Sequence, residues 1–325
     1  MSLEPPTIEE ISALRERFGD EIVRTPVMWC PWAEARMAEG TKVWGKLEFL
    51  QKTGTFKARG ALSNLWSLDE DQKRRGVTAV SAGNHAIATA FAAAAAETSA
   101  KVVMLRSSNA ARQQACRHYG AEIVLAEDVH EAFDIAADIE REEGRTFVHP
   151  FEGREVALGT GTVGLEMVEQ CPDFDTLIVP VGGGGLIAGI SNAVKQLKPE
   201  CTIIGVEPEG ADTMRRSFEA GTPQPIDEVT TIADSLGAPF AMPNSFELTR
   251  DNVDQLVTVT DEQLKDCMGL LFRDMRIAVE PACAAATAAL LGPLRESLAG
   301  RRVLLTFCGS NIDWQSFATL ANFDG

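Results

Sequence analysis

Residues 48–61 read E-F-L-Q-K-T-G-T-F-K-A-R-G-A, and the reading of the whole 325-residue chain turns on them. Their centre, Thr53-Gly54-Thr55-Phe56-Lys57, is a small-residue turn that delivers one lysine at a helix start. Thr53 and Thr55 are N-cap candidates, and residues 58–66 carry helix formers. Beside Phe56, Ala58 and Ala61 the ammonium is expected to be partly desolvated, which lowers its pKa and favours the neutral amine, the form able to attack an aldehyde. On this segment alone a lysine in a first helical turn is ordinarily a surface residue, so the weight comes from loops elsewhere.

Around this stretch the chain alternates between strand and helix patterns. A helix is expected over 8–18 and a strand over 42–47, and residues 69–76 read as a polar link. Uniformly apolar strand candidates follow at 77–80, 102–105, 122–125, 177–181, 202–206, 256–259 and 303–307, separated by Ala-rich or amphipathic helical stretches. Strands this apolar are buried on both faces, which means mostly parallel open sheets flanked by helices, an α/β fold in two domains. Residues 73–148 hold three strands, enough for a small domain. Residues 149–159, H-P-F-E-G-R-E-V-A-L-G, read as a loop leading back to a larger, discontinuous domain of 1–72 and 149–325. No appended regulatory domain is expected after the last strand.

The composition, 45% hydrophobic and 24% charged, is that of a globular protein. A net charge of -17 spread along the chain argues against a nucleic-acid partner, whose phosphates it would repel. The seven cysteines form no C-x-x-C pair and are odd in number, as expected of reduced thiols in the cytoplasm rather than a disulfide frame or zinc site. No apolar run approaches membrane-spanning length, and the acidic, amphipathic start is unlike a signal peptide.

Three further loops follow strands. Ser81-Ala82-Gly83-Asn84-His85 opens a very Ala-rich helix at 86–96. Free N–H groups and the positive dipole end there suit an anion, although Ser81 or Asn84 as a plain N-cap is the alternative. Gly182-Gly183-Gly184-Gly185-Leu186 precedes a helix over 187–197. Four glycines let successive N–H groups converge on a phosphate, and such a run has few structural uses. The same loop also satisfies a dinucleotide fingerprint, G-x-G-x-x-A through Gly183, Gly185 and Ala188, with Glu207 about twenty residues on, so a nicotinamide-dependent dehydrogenase is the rival reading. Cys308-Gly309-Ser310-Asn311 ends the last strand. Ligands of parallel α/β sheets gather at the carboxyl ends of strands, and these loops with one lysine suggest a phosphorylated aldehyde cofactor.

In that order the motifs resemble those of the fold type II pyridoxal-phosphate enzymes, the tryptophan synthase β-like fold, closest to the threonine/serine dehydratase and serine racemase branch. The likeness spans roughly residues 20–315. T-G-T-F-K-A-R-G-A resembles the Schiff-base lysine motif, with Thr55 where serine is usual. S-A-G-N-H resembles the substrate-carboxylate loop, and V-G-G-G-G-L the phosphate cup. H-P-F, G-T-G-T-V-G-L-E, T-I-A-D-S-L-G, E-P-A-C-A-A-A and C-G-S-N-I-D complete the series.

The resemblance implies pyridoxal 5'-phosphate held by Lys57, with Phe56, Asn84 (on the phenolic oxygen), Gly182, Gly183, Gly184, Gly185 and Leu186 around it. Cys308, or Ser310 in a shifted register, would face the pyridine nitrogen. Ser81, Ala82, Gly83, Asn84 and His85 would bind the substrate carboxylate. The implied activity is removal of the β-hydroxyl of threonine, serine or a related amino acid, giving a 2-keto acid and ammonia, in a homodimer or homotetramer. Racemases of the branch carry serine where Ala82 stands, and Ala82 and Phe151 are dehydratase-like. Serine racemisation, cysteine-synthase-like β-replacement and a non-catalytic cofactor-binding protein are the alternatives. Glu207 and Ala211 match two positions of the racemase divalent-metal site, but Thr213 replaces its aspartate. Losing that carboxylate weakens a divalent site and leaves a monovalent ion as an alternative. Residues 106–112 replace the usual P-x-x-A-P-x-x-K segment.

Overall fold

The computed structural model describes residues 4–323. Ten strands build two sheets: β1 (Val27–Trp29), β2 (Lys42–Leu47), β3 (Val77–Val80), β4 (Ala100–Leu105), β5 (Glu122–Ala126), β6 (Thr146–Phe147), β7 (Thr176–Pro180), β8 (Thr202–Pro208), β9 (Gln255–Val259) and β10 (Arg302–Phe307). The larger sheet has the order β1-β2-β10-β7-β8-β9 and the smaller one β5-β4-β3-β6. Every pairing is parallel except β1 with β2, and helices cover both sheets, so the two-domain α/β architecture expected from the apolar strands is the one observed. All five residues of β7 are buried, as an inner strand covered on both faces requires.

The helix Ile8–Phe18 and β2 lie where their periodicity places them. Four local features differ from expectation, the first three for lack of length. β1 is a three-residue edge strand where no strand was expected. The polar link is a helix, Glu70–Arg75, with a capping box between Asp69 and Gln72 and too few residues to show a hydrophobic period. β6 adds a fourth strand, two residues long, to the smaller sheet. The loop after His149 ends at Gly153, where the helix Arg154–Gln170 begins.

The lysine helix, Lys57–Trp66, packs Ala58, Ala61, Leu62 and Leu65 into a core shared with Ala86, Ile87 and Ala90 of the helix Asn84–Ala95. Its second residue pair is less ordinary, because Arg59 is completely buried. The guanidinium meets Glu48 through Nε and Nη2, both at 2.9 Å, and Glu166 at 2.8 and 2.9 Å. Lys46, also buried, donates to Glu166 at 2.5 Å and to the carbonyl of Thr25 at 2.6 Å. Two cations and two carboxylates therefore neutralise one another beneath the lysine turn, which is what lets four charges sit out of water.

Candidate active site

The turn that carries Lys57 is stitched to the loop following β10. Thr55 and Gly309 form an antiparallel bridge, Phe56 N donates to the carbonyl of Cys308 at 3.2 Å, and Ser310 N donates to the carbonyl of Gly54 at 3.0 Å. Gly54 has φ +74, and a Cβ there would stand 2.4 Å from Asn311 Oδ1, so glycine is required. The expected capping is partly observed. Thr55 Oγ1 accepts from Lys57 N at 3.1 Å, whereas the Thr53 hydroxyl donates to the carbonyl of Thr55. Lys57 Nζ donates to the carbonyl of Pro150 at 2.6 Å. Removal from water lowers the pKa of this amine to about 8, with Cys308 and Glu280 pulling it the other way.

Across the cleft from Lys57 lies the glycine turn between β7 and the helix Gly185–Leu197. Lys57, Phe56, Asn84, Gly182, Gly183, Gly184, Gly185, Leu186 and Cys308 line one cavity, which holds about 440 Å³ free of protein atoms, solvent at its mouth included. The turn has steric reasons for its composition beyond those the sequence suggests. A Cβ on Gly183 would sit 2.3 Å from the Phe151 ring, one on Gly185 would sit 2.7 Å from the Phe151 backbone, and Gly184 has φ +90. Thr160 of the G-T-G-T-V-G-L-E motif donates to the carbonyl of Gly185 at 2.8 Å, holding the turn from behind. Phe151 is fixed in turn by His149, whose Nδ1 accepts the N–H groups of Phe151 and Glu152 at 3.3 and 3.0 Å. The first N–H groups of the helix Gly185–Leu197 are free of intrahelical partners and mark a positive dipole end, and its first two residues line the cavity.

Asn84 is the hinge of the remaining polar groups. Its Nδ2 donates to both oxygens of Glu280, at 2.8 and 3.0 Å, and to Ser235 Oγ at 3.1 Å, while its Oδ1 accepts from Asn311 Nδ2 at 2.8 Å. Glu280 precedes Pro281 at a helix start but makes no capping bond, which leaves its carboxylate free to enter the cleft. Burial pushes its pKa up to about 7, against the pull of Asn84, Arg112 and Lys57. Glu280, Ser235 and Leu236 line the cavity and were not among the residues singled out from sequence, as does Phe151, which was noted there only as dehydratase-like. The motifs E-P-A-C-A-A-A and T-I-A-D-S-L-G contain three of them, but an acid before a proline at a helix start reads as a cap.

Other expected site residues lie elsewhere. Ser81, Ala82 and Gly83 do not reach the cavity lining, and Ser81 Oγ accepts from Gly83 N at 3.1 Å. His85 faces an adjoining crevice with Gly60, His149 and Pro150 on the other flank of Lys57. Its Nε2 meets the carbonyl of Val148 at 2.8 Å, and burial lowers its pKa to about 3, so the ring is neutral and donates. Cys308 lines the cavity and Ser310 does not. Hydrogen bonding to Cys283 and burial hold the Cys308 thiol well above its ordinary value, hence protonated. Glu207 accepts the N–H groups of Met214 and Arg215, both at 2.8 Å, and Thr213 Oγ1 donates to the carbonyl of Ala238. Both Glu207 oxygens thus cap the start of the helix Thr213–Ala220.

The donors fit a phosphorylated aldehyde: a lysine held near its neutral form, and a turn in which side chains are excluded so that backbone N–H groups can close on an anion. This is the site of an enzyme that carries its electrophile as a bound cofactor. The chain belongs to the family of pyridoxal-phosphate dependent enzymes, whose model matches residues 19–309. It is 53% identical over 313 residues to phenylserine dehydratase of Ralstonia pickettii, covering 96% of this chain and 95% of that one. It is 35% identical over 308 residues to L-threonine ammonia-lyase of Thermotoga maritima, covering 94% and 76%. Among solved structures, maize serine racemase superposes with a TM-score of 0.92 at 33% identity, covering 97% of both chains. The expectations of pyridoxal phosphate and of a lyase of the threonine/serine dehydratase type stand, and the dinucleotide reading of the glycine turn falls.

Proposed function

We propose that this protein dehydrates a β-hydroxy amino acid of the phenylserine type, giving an aryl 2-keto acid and ammonia. The observation that carries the reading is the single cavity in which the Lys57 amine opposes the glycine turn, in a chain 53% identical to a phenylserine dehydratase. The aryl preference is supported by the lining. Phe56, Phe151 and Leu236 offer apolar surface, and Lys57 is the only cation among the described lining residues. Arg112, near the rim, already pairs with Asp234 at 2.6 Å, so a second substrate carboxylate, as in 3-hydroxyaspartate, finds no free partner.

When bound, pyridoxal phosphate supplies the electron sink for the pair left on the α-carbon. Lys57 is its covalent anchor and then the base that takes the α-proton, a role suited to an amine of lowered pKa. Gly182, Gly183, Gly184, Gly185 and the N–H of Leu186 hold the phosphate. The N-terminal turn of the helix Asn84–Ala95, whose Asn84 lines the cavity, orients the substrate carboxylate. Cys308, held protonated, would offer the ring nitrogen of the cofactor a thiol in place of a charged carboxylate, which would favour loss of the hydroxyl over reprotonation. Ala82 stands where racemases of the branch carry serine, and a methyl group transfers no proton. Residues 73–148 act as the small mobile domain against 1–72 with 149–325.

We also place the protein in the cytoplasm as a homodimer or homotetramer. No helix among the described residues is long and apolar enough to cross a membrane, and Trp29 and Trp314 expose 54% and 73% of their surface. Light scattering on the purified protein tests the assembly.

The decisive assay measures ammonia and keto acid from phenylserine, threonine, serine and 3-hydroxyaspartate of both hands. Phenylserine is expected to show the highest kcat/KM and 3-hydroxyaspartate the lowest. Equal values across the panel would remove the aryl preference, and silence across it would remove the dehydratase. Sulfide with O-acetylserine checks β-replacement.

A further inference from the structure

The segment 106–112, R-S-S-N-A-A-R, enters the function proposed above only through an Arg112 already occupied by Asp234, yet that residue spans the cleft. Arg112 belongs to the helix Ala110–His118, which flanks the smaller sheet. Its Nη1 donates to Asp234 Oδ2 at 2.6 Å, its Nε and Nη2 donate to the carbonyl of Asn311 at 3.2 and 3.1 Å, and Nη2 stands 4.0 Å from Glu280 Oε2. These acceptors are tied to the three partners of the Asn84 carboxamide. Glu280 and Asn311 bond to Asn84 directly, and Ser235, the third partner, donates to Asp234 Oδ1 at 3.3 Å.

Two further observations mark the arrangement as built. A Cβ on Gly83, the residue before Asn84, would stand 3.0 Å from Arg112 Nη1, so the guanidinium packs closely against the loop backbone. One turn earlier Asn109 Nδ2 donates to Asp313 Oδ2 at 2.6 Å, a second tie from the same helix to the segment after β10. A planar guanidinium serves two acceptors at fixed angles while keeping its charge beside a third group, Glu280, whereas an ammonium is a point charge that must choose among them.

We propose that Arg112 is a positioning residue for Asn84: by fixing Glu280, Asn311 and, through Asp234, Ser235, it locks the orientation of the one cavity-lining side chain to which all three bond. The inference rests on the reading of this cleft as the active site. Arg112 touches neither cofactor nor substrate in this role. It acts through the amide it immobilises, and a small misplacement of such a group lowers rate more than affinity.

The test is a double-mutant cycle with Arg112→Ala and Asn84→Ala, read by steady-state kinetics on phenylserine and by the visible absorption band of the bound cofactor. In the wild-type background Arg112→Ala is expected to lower kcat roughly 10–100-fold with KM changed by less than about threefold, and to move the band as Asn84→Ala does. In the Asn84→Ala background the same substitution should change kcat by less than about threefold, because the residue it positions is gone. Arg112→Lys, which keeps the charge and the fold, should fall between wild type and Arg112→Ala. Equal losses in both backgrounds, or wild-type kinetics and an unmoved band in Arg112→Ala, overturn the proposal. If the wild-type protein forms no keto acid, the dehydratase reading fails, and the absorption band still decides the role of Arg112.

Discussion

Lys57 Nζ and the carbonyl oxygen of Pro150 lie 2.6 Å apart, joining the start of the lysine helix to the point where the chain returns from the smaller sheet to the larger. The contact holds the amine with a neutral carbonyl and no ion-paired carboxylate, so burial outweighs the opposing pull of Cys308 and Glu280 and its pKa falls to about 8. At pH 7 about one-tenth of the amines are then neutral, roughly 300-fold more than for a lysine at its ordinary value. Stripped of cofactor and then mixed with pyridoxal phosphate, the protein should therefore develop its absorption band faster as pH rises from 6 to 8.5, with a plateau above that. Lys57→Ala should show no such band and no keto-acid production. A rate that keeps climbing tenfold per pH unit up to pH 10 would mean an unperturbed lysine.

Much of this site was legible because its motifs are local. The lysine turn, the glycine turn and the loop after β10 are each a few adjacent residues at the carboxyl end of a strand, and parallel-sheet topology gathers such ends. Glu280 and Arg112 were not legible in the same way. Their importance comes from meeting Asn84 across 196 residues and Asp234 across 122, distances at which one sequence carries no pairing information. Arg59 is a similar case: a basic residue in the first turn of a helix reads as exposed, and only the convergence of Glu48 and Glu166 lets it be buried. For β1 and β6 the reason is length, since two or three residues hold no period.

Glu280 makes stability depend on pH in a direction opposite to a paired surface acid. Its pKa in the folded protein, about 7, lies above the ordinary 4.5, so the folded state binds the extra proton between these values. The resulting stabilisation is full below pH 4.5 and is lost as pH rises through about 7, an effect of up to about 3 kcal/mol. Glu280→Gln keeps an acceptor for Asn84 but cannot ionise. Urea unfolding at pH 5 and pH 8 should therefore show a smaller loss of stability with rising pH in the variant than in wild type. Glu207, whose pKa burial raises to about 8, contributes equally to both proteins and drops out of the difference. Parallel pH profiles would show that Glu280 titrates normally.

Gly183→Ala places a methyl group where the Phe151 ring now stands, at 2.3 Å. The ring and the turn cannot both keep their positions, and overpacking of this kind costs about 1–3 kcal/mol. Cofactor affinity is expected to fall at least tenfold, because the N–H groups of the turn must shift together. Adding Phe151→Leu opens the space and should recover part of that affinity, measured by fluorescence titration. An equally weak double variant would mean that the methyl group blocks the phosphate itself and that Phe151 is a bystander.

Arg59 and Lys46 share two carboxylates, and the balance of charge decides what each substitution does. Arg59→Leu leaves Glu48 and Glu166 buried with Lys46 as their one remaining cation, the situation in which a broken buried pair costs about 3–5 kcal/mol. Because the guanidinium sits in the first turn of the lysine helix, the loss should also loosen the start of that helix and lower cofactor affinity. Removing Glu48 together with Arg59, as Arg59→Leu with Glu48→Leu, restores neutrality: Lys46 and Glu166 remain as a pair at 2.5 Å. The double variant is therefore expected to be more stable than Arg59→Leu alone in urea unfolding at pH 7, although it lacks more hydrogen bonds. If instead the two losses add, hydrogen bonding rather than charge neutrality holds the cluster together, and the lysine turn rests on geometry that no compensating substitution restores.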